Sequence, residues 1–380
     1  MQDLSGLRIV EIGEKPFMKQ ALPHQTMFFS TWPDEDERKL VDDQNYVVSL
    51  ANLKALWRVL REPQTSLVVC HPPFYSPWHW RWLVRIMFDR RTAHRLRSFP
   101  RTMGSQVLRS RITAPIAILD HSDLPIINRN NFFLLDRCRL YFKRELPPDR
   151  WRVFLKTAHA NLPTPRFREL THNQARIDKL RPISLGVPLS APSPFPALPT
   201  RKTSDIFFAG RIKGSSFIRQ KALSELLALR ERGFVIDVAE QQLDQSEFYR
   251  RCGQARLTWS PEGLGWDCFR QYEAAMCGSV PLLNQPTIER YQPLLHGKHA
   301  VYYDIEESGL TNAAVNALAD KPRLEAMGQA ARAHVLVHHT PHAIARHIVR
   351  TSLETIDHGQ GHGRLRQHTI CRHGHAVDDR

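Results

Sequence analysis

The sequence predicts an α/β fold made of two parallel-sheet domains, and three observations carry that prediction. Short apolar runs of the kind found in strands buried on both faces alternate with helical segments through both halves. A proline-rich stretch separates the halves. The second half then repeats a strand, loop, helix, strand order, so each half reads as a Rossmann-like unit. At 380 residues and 42% hydrophobic content, the chain is long and apolar enough for two cores.

In the first half, Leu7 to Ile12 reads as a strand, with Gly13 after it. Thr26 to Ser30 reads as a short second strand. The acidic run Asp34 to Asp43 reads as a loop or the solvated start of a helix. Tyr46 to Leu60 has helical spacing, with Leu53, Leu56, Trp57 and Leu60 on one face. Ser66 to Cys70 is a buried-strand run closed by His71-Pro72-Pro73. Trp78 to Leu96 is a strong helix pattern. Ile116 to Leu119 is another strand run, ending in Asp120-His121-Ser122-Asp123. Asn131 to Arg137 reads as helix and Leu140 to Phe142 as strand.

Six prolines between Arg181 and Arg201 preclude helix there and mark the interdomain connection. Asp205 to Ala209 is the next strand, ended by Gly210-Arg211-Ile212-Lys213. Helix follows over Phe217 to Arg232, stopped by Gly233. Phe234 to Val238 reads as strand and Gln245 to Cys252 as helix. Tyr302 to Asp304, Leu310 to Ala319 and Pro322 to His338 complete the unit. Pro341 to Thr355 is a last helix, with proline at its first turn. The resulting division is an N-terminal domain over 1–185, a linker over 186–204 and a C-terminal domain over 205–340. A terminal helix over 341–357 packs back on the N-terminal domain, and a His/Arg-rich tail over 358–380 is expected to be disordered.

Net charge is +15. Between Arg81 and Arg111 nine arginines face one acid, Asp89. Together with Trp78, Trp80 and Trp82, this makes 78–111 a candidate for peripheral contact with an anionic membrane; a solvated basic helix face is the alternative. No recognition module with interleaved aromatics accompanies the charge, so specific nucleic-acid binding is not expected. The six cysteines are scattered with no Cys-x-x-Cys pair, which fits a reducing compartment and argues against structural zinc. No apolar run approaches the roughly 18 residues of a membrane span, and Met1 to Gly13 lacks a signal-peptide pattern. The expected location is therefore cytoplasmic.

The most informative stretch is Trp259 to Leu283. Ala255 to Trp259 reads as strand, Gly263 and Gly265 as a tight loop that lets backbone approach a ligand, and Asp267 onward as helix. Gly278 sits where a helix-ending glycine belongs, before the strand Val280 to Leu283. Arg270 and Glu273 are three apart and share a face. A cation and a carboxylate beside a flexible loop at a strand end suit a ligand carrying both phosphates and hydroxyls.

The run Ser260-Pro261-Glu262-Gly263, then Trp266-Asp267-Cys268-Phe269-Arg270-Gln271-Tyr272-Glu273-Ala274, then Gly278-Ser279-Val280-Pro281 resembles the C-terminal signature of family-1-type glycosyltransferases. It is nearest to the CgeB-like (spore-maturation) and exostosin-like branches. The resemblance is good over about 205–318, patchy over 116–186 and faint before that. It implies a GT-B architecture, with two Rossmann-like domains facing across a cleft. It also implies transfer of a sugar from a nucleotide-diphosphate-sugar donor to the hydroxyl of a glycan, lipid-linked or protein acceptor, as in cell-surface glycan biosynthesis. No metal or cofactor is implied, because protein cations and helix N-termini neutralise the diphosphate. Many members carry two glutamates separated by seven residues; here Glu262 and Glu273 are separated by ten, and Asp267 is an alternative for the first position. Inversion or retention stays open.

On that resemblance Glu273 hydrogen-bonds the ribose hydroxyls, and Arg270 and Arg211 meet the diphosphate. Gly210, Lys213, Glu262, Gly263 and Asp267 line the donor site. Asp120 and His121 follow a buried strand of the other domain, and either suits a general base on the acceptor. A helix-surface ion pair is the plain alternative for Arg270 and Glu273, and a turn for the Asp120 segment. Two other functions compete: a basic nucleic-acid-binding protein and a non-catalytic GT-B scaffold.

Overall fold

The computed structural model describes residues 4–31, 45–73, 103–155, 171–192, 195, 201–212 and 216–354. The helix expected over Trp78 to Leu96, Lys213 and the tail over 358–380 lie outside these residues, as does most of the basic segment 78–111.

Seven strands form the first sheet: β1 (Ile9–Gly13), β2 (Thr26–Ser30), β3 (Asn45–Val47), β4 (Leu67–Cys70), β5 (Ile116–Asp120), β6 (Leu140–Lys143) and β7 (Leu180–Pro182). They lie in the order β3-β2-β1-β4-β5-β6-β7, and every pairing is parallel. The second sheet has five parallel strands: β8 (Ser204–Phe208), β9 (Ile236–Val238), β10 (Ala255–Trp259), β11 (Val280–Asn284) and β12 (Val301–Tyr303), in the order β12-β11-β10-β8-β9. In each sheet the first strand has its successor on one side and a later strand on the other. The order therefore reverses between β1 and β4, and again between β8 and β10. Crevices for ligands open at the carboxyl ends of such strand pairs.

The strands are mostly apolar because both sheet faces are covered. On β1, Val10 and Ile12 join one core with Val68, Ile118 and Tyr141. Ile9 faces the opposite core with Val69, Leu119 and Phe142. That second core is completed by α1 (Phe17–Ala21) and by the last helix of the chain, Pro341–Leu353. Its Ile344, Ala345, Ile348 and Val349 are fully buried against the first sheet. The chain thus crosses between the two halves twice.

Two local expectations change. The segment expected as helix over Tyr46 to Leu60 begins as strand β3, and α2 (Leu50–Val59) starts only where Ser49 accepts from Asn52 N–H as an N-cap. The helix expected over Phe217 to Arg232 is α-helical to Ala228 and then tightens into a 3-10 turn, ended by Gly233 at φ +85°. Among the described residues the remaining α-helices, in chain order, are α3 (Phe132–Arg137), α4 (Thr171–Ile177), α5 (Phe217–Ala228), α6 (Gln245–Gln254), α7 (Phe269–Met276), α8 (Gly309–Leu318), α9 (Lys321–His338) and α10 (Pro341–Leu353).

Candidate functional site

The reversal between β8 and β10 brings together Gly210, Arg211, Arg219, Pro261, Glu262 and the start of α7. Arg270, in the first turn of α7, lies across the backbone that follows β8. A Cβ on Gly210 would sit 2.4 Å from Arg270 Nη2, so a larger residue there would push this guanidinium aside. The group also lies over the ring of Phe208, 5.3 Å from its centroid. Its Nη1 is buried with no hydrogen-bond partner among the described residues. Arg219, absent from the sequence expectations, stands beside it. It donates to three carbonyls, those of Glu262 (2.9 Å), Arg211 (3.1 Å) and Pro261 (3.2 Å). Burial first, and the Arg270 charge second, push the Arg219 pKa down. Two guanidinium groups are therefore held close together at a strand end, which is an anion site in charge and geometry.

The N-terminus of α7 adds to this. Its capping position, Cys268, is extended and its side chain accepts no bond from the first-turn N–H groups. Glu273, one turn on, is half-buried and accepts from Tyr249 Oη at 3.0 Å. Burial raises its pKa, opposed by Tyr249 and Arg270. Glu262 is anchored by Asn284: its N–H donates to Asn284 Oδ1 (2.9 Å), and Asn284 Nδ2 donates to its carboxylate (3.2 Å). Arg211 is exposed.

Asp267 and the glycine loop behave differently from expectation. Neither Gly263 nor Gly265 has a positive φ, so neither is needed for backbone twist. A Cβ on Gly265 would fall 2.4 Å from Arg144 Nη2 and 2.5 Å from Glu145 Oε1, both on the first sheet's side. This glycine admits the other half of the protein. Glu145 accepts from the N–H groups of Trp266 (2.9 Å) and Asp267 (3.0 Å). Asp267 is buried, and accepts from Leu185 N–H (2.6 Å), Tyr272 Oη (2.7 Å) and Gln271 Nε2 (2.5 Å). Burial raises its pKa to about 6. Buried and accepting three hydrogen bonds from within the protein, Asp267 is tied into the joint between the halves.

At the carboxyl ends of the first sheet, Asp120 is also fully engaged. It accepts from Lys143 Nζ (3.0 Å), Tyr141 Oη (2.9 Å) and Ser122 N–H (3.0 Å). Burial pushes its pKa up, but the Lys143 charge and the hydrogen bonds outweigh this and hold it low. His121 packs edge-on against Phe17, and its Nε2 is buried without a partner among the described residues. Enclosure, then the His71 and Arg144 charges, lower its pKa to about 3. Its carbonyl accepts from Arg144 Nη1 (3.0 Å), so one side chain links this strand end to the Gly265 loop.

Sequence reasoning missed Glu11 and His71. Glu11 is fully buried and its carboxylate meets His71 Nε2 at 2.9 Å. The available signal was a lone acid inside the apolar run Ile9 to Gly13. Among the described residues, no cluster of three or more His, Cys, Asp or Glu is arranged to hold a metal. No described helix is long and apolar enough to cross a membrane.

Comparison with known proteins accords with this geometry. A glycosyltransferase from Rickettsia africae ESF-5 superposes with a TM-score of 0.51 at 9% identity, covering 91% of this chain and 97% of that one. A structure described as trehalose-6-phosphate from E. coli bound with UDP-2-fluoro glucose superposes with a TM-score of 0.50 at 10% identity, covering 92% and 99%. The fold is GT-B, the two-domain architecture of glycosyltransferases. Residues 238–350 further match the model of a family described as "Glycosyl transferase-like". Comparison with curated proteins finds no match.

Proposed function

We propose that the protein is a glycosyltransferase that binds a nucleotide-diphosphate sugar at the carboxyl ends of β8 and β10 and transfers the sugar to an acceptor hydroxyl. The observation that carries this is Arg270: a guanidinium seated over Gly210, beside Arg219, with a buried Nη1 that lacks a partner among the described residues. A buried cationic donor without an acceptor is costly, and a diphosphate oxygen supplies the acceptor. The second guanidinium and the α7 N-terminus share the remaining negative charge. Glu273 follows on the same helix, one turn on, where a carboxylate suits ribose hydroxyls. Arg211 and Lys213 extend the phosphate contacts. Glu262 and Gly263 border the sugar.

The donor chemistry extends to finer proposals. Within the glycosyl transferase-like match, the Phe269-Arg270-Gln271-Tyr272-Glu273-Ala274 run favours a place near the CgeB-like and exostosin-like branches. The acceptor is a glycan or lipid-linked molecule, reached in the cytoplasm, with segment 78–111 touching an anionic membrane face. The scattered cysteines and the arginine excess support those two points. Neither a metal nor a cofactor is needed if the two arginines neutralise the diphosphate.

A thermal-shift screen across UDP, GDP, ADP, dTDP and their sugars tests the donor reading. One nucleotide series should raise the unfolding midpoint; a flat response across all of them would remove the basis for it. Flotation with anionic vesicles tests the membrane contact, which fails if the protein stays at the bottom of the gradient.

A further inference from the structure

The loop from β11 to β12 leaves the second domain, touches the first and returns. The Glu289 carboxylate takes two bonds from Arg150, at 2.7 Å each, and its N–H donates to Leu146 O (2.7 Å). Leu146 and Arg150 both follow β6 of the first sheet. Tyr291 packs on the core that α10 completes. Arg290 lies over Trp266 and Tyr302 of the second domain, 5.5 and 5.3 Å from their ring centroids. Gln292 comes next. Its φ is +40°, a left-handed conformation that a non-glycine residue keeps only where its surroundings hold it.

Histidines hold it. The Gln292 carbonyl accepts from Nε2 of His334 (2.9 Å) and Nε2 of His339 (2.8 Å). A carbonyl has no proton to give, so both Nε2 atoms carry one. In the neutral rings Nδ1 keeps its lone pair, and His339 Nδ1 meets Ser184 Oγ at 2.9 Å, just after β7. His299 ties down the far end of the loop. Its Nδ1 receives the Leu295 N–H (3.2 Å), which an imidazolium cannot do. The rings form a cluster: His299 stacks on His334 with centroids 4.3 Å apart, and His338 and His339 lie 4.7 and 5.5 Å from His334. His299 and His339 are buried.

The groups around the cluster are basic or already engaged. From α9 come His334, His338 and Arg332, which donates to Met276 O. From the loop come His296, Lys298 and Arg290. From α10 comes His347, 4.3 Å from the Tyr291 ring and acted on by Glu354, Arg350 and His338. From α7 comes Tyr272, its ring 4.7 Å from His339 and its hydroxyl on Asp267. Of the acids, Glu289 is held by Arg150, and Asp267 accepts three bonds. The charges acting on His299 are those of His334, Lys298 and His338; on His339 they are those of His334, His338 and His299. No carboxylate is among them.

We infer that His299, His334, His338 and His339 form a proton-operated latch: neutral, they clamp the strained Gln292 loop across the domain joint, and protonated, they release it. This does not rest on the glycosyltransferase reading. A second proton on the His299 ring sets Nδ1–H against the Leu295 N–H, donor against donor. A second proton on His334 puts positive charge beside three other imidazoles. Burial, before these neighbours, holds His299 at about 4 and His339 at about 3. In the released loop each returns to about 6.5. The released form therefore binds more protons below about pH 6.5, so the latch is at full strength above that value and weakens as pH falls towards about 4.

Hydrogen exchange of the full chain at about pH 7.5 and about pH 5, corrected for the intrinsic pH dependence of exchange, tests this. Peptides over 285–299, 144–150 and 183–187 should lose protection at the lower pH, by about thirtyfold for each buried histidine that takes up a proton. Peptides of β1 and β10 should change far less. The double variant His299→Asn, His334→Gln keeps an acceptor for Leu295 and a donor for Gln292 but leaves those two positions nothing to protonate. Its loss should be smaller than that of wild type by about thirtyfold or more. Gln292→Gly relieves the backbone and leaves every histidine in place, which guards against misfolding of the double variant; its release should move to lower pH. Loop protection that is independent of pH overturns the inference. So does a loss shared equally by β1 and β10, which is ordinary acid unfolding. A double variant that opens as far as wild type, or a Gln292→Gly release that stays in place, also overturns it.

Discussion

Glu145 stands 122 residues before Asp267, yet its carboxylate receives the N–H groups of both Trp266 and Asp267, at 2.9 and 3.0 Å. This pair of charge-assisted bonds fastens the end of β6 in the first domain to the loop that precedes α7 in the second. Arg144 is bonded to the same carboxylate (3.0 Å), and burial followed by the charges of Glu145 and Asp267 shapes its environment. Glu145→Ala leaves two buried N–H groups and a buried guanidinium short of an acceptor. It should cost about 2–4 kcal/mol, read as a lowered urea midpoint. A loss within the scatter of the measurement would show that the joint is not held here.

Gly265→Ala should act on the same joint from the other side. Its methyl group would meet Arg144 and Glu145 at 2.4–2.6 Å. Overpacking of this kind costs about 1–3 kcal/mol. Gly263→Ala, facing only the end of Arg219 at 3.0 Å, should cost less. Parallel urea titrations of both variants check the ranking, and the reverse order would contradict it.

The histidines give a pH prediction. Burial holds His121 and His339 down to about 3, and His299 and His347 down to about 4. In the unfolded chain each titrates near 6.5. Between those values the unfolded state binds more protons, so stability is lost as pH falls from about 6.5 towards 3. Asp267, raised to about 6, and Glu262 and Glu273, also raised by burial, have the opposite sign, while the lowered Asp120 and His338 act in the same sense as the four histidines. His339 bonds Ser184 Oγ (2.9 Å) through Nδ1 and Gln292 O (2.8 Å) through Nε2, so both nitrogens are committed within the protein. Urea midpoints should fall steadily from pH 7 to pH 4.5, and His339→Gln should flatten the slope. A midpoint independent of pH would refute this.

At the proposed ribose contact, Glu273→Ala should weaken nucleoside diphosphate binding at least tenfold, or about 1.4 kcal/mol. Tyr249→Phe removes one donor to Glu273 and should weaken it less. Calorimetry separates the two, and equal affinities for wild type and Glu273→Ala would discard the contact.

Much of this fold was legible in the sequence because strands of a doubly covered parallel sheet are written as short, largely apolar runs. Ile9 to Ile12, Leu67 to Cys70 and Ile116 to Leu119 all lie in strands. Tyr46 was misleading because it packs on Phe29 across a strand pair, with ring centroids 5.0 Å apart, while its spacing also fits a helix. The short helices α1 and α4 have too few turns to show a period. Within the candidate site, the shared face of Arg270 and Glu273 was legible from their spacing, and Gly210 from its place at a strand end. Arg219 was not, since its role depends on three carbonyls supplied by other loops. Asp267 reads like a ligand residue in the motif, but its partners Glu145 and Leu185 come from the distant half of the chain. The Glu11–His71 pair, 60 residues apart, is created by the β1–β4 pairing alone.

Arg270 is the centre of the proposed donor site. Calorimetric titration of wild type and Arg270→Ala with the nucleoside diphosphate selected by the thermal-shift screen is the most direct measurement. One saturable site per chain in wild type, weakened by about tenfold to a hundredfold in Arg270→Ala, is the predicted result; each factor of ten corresponds to about 1.4 kcal/mol. Equal binding by the two proteins would contradict it, as would the absence of binding in wild type.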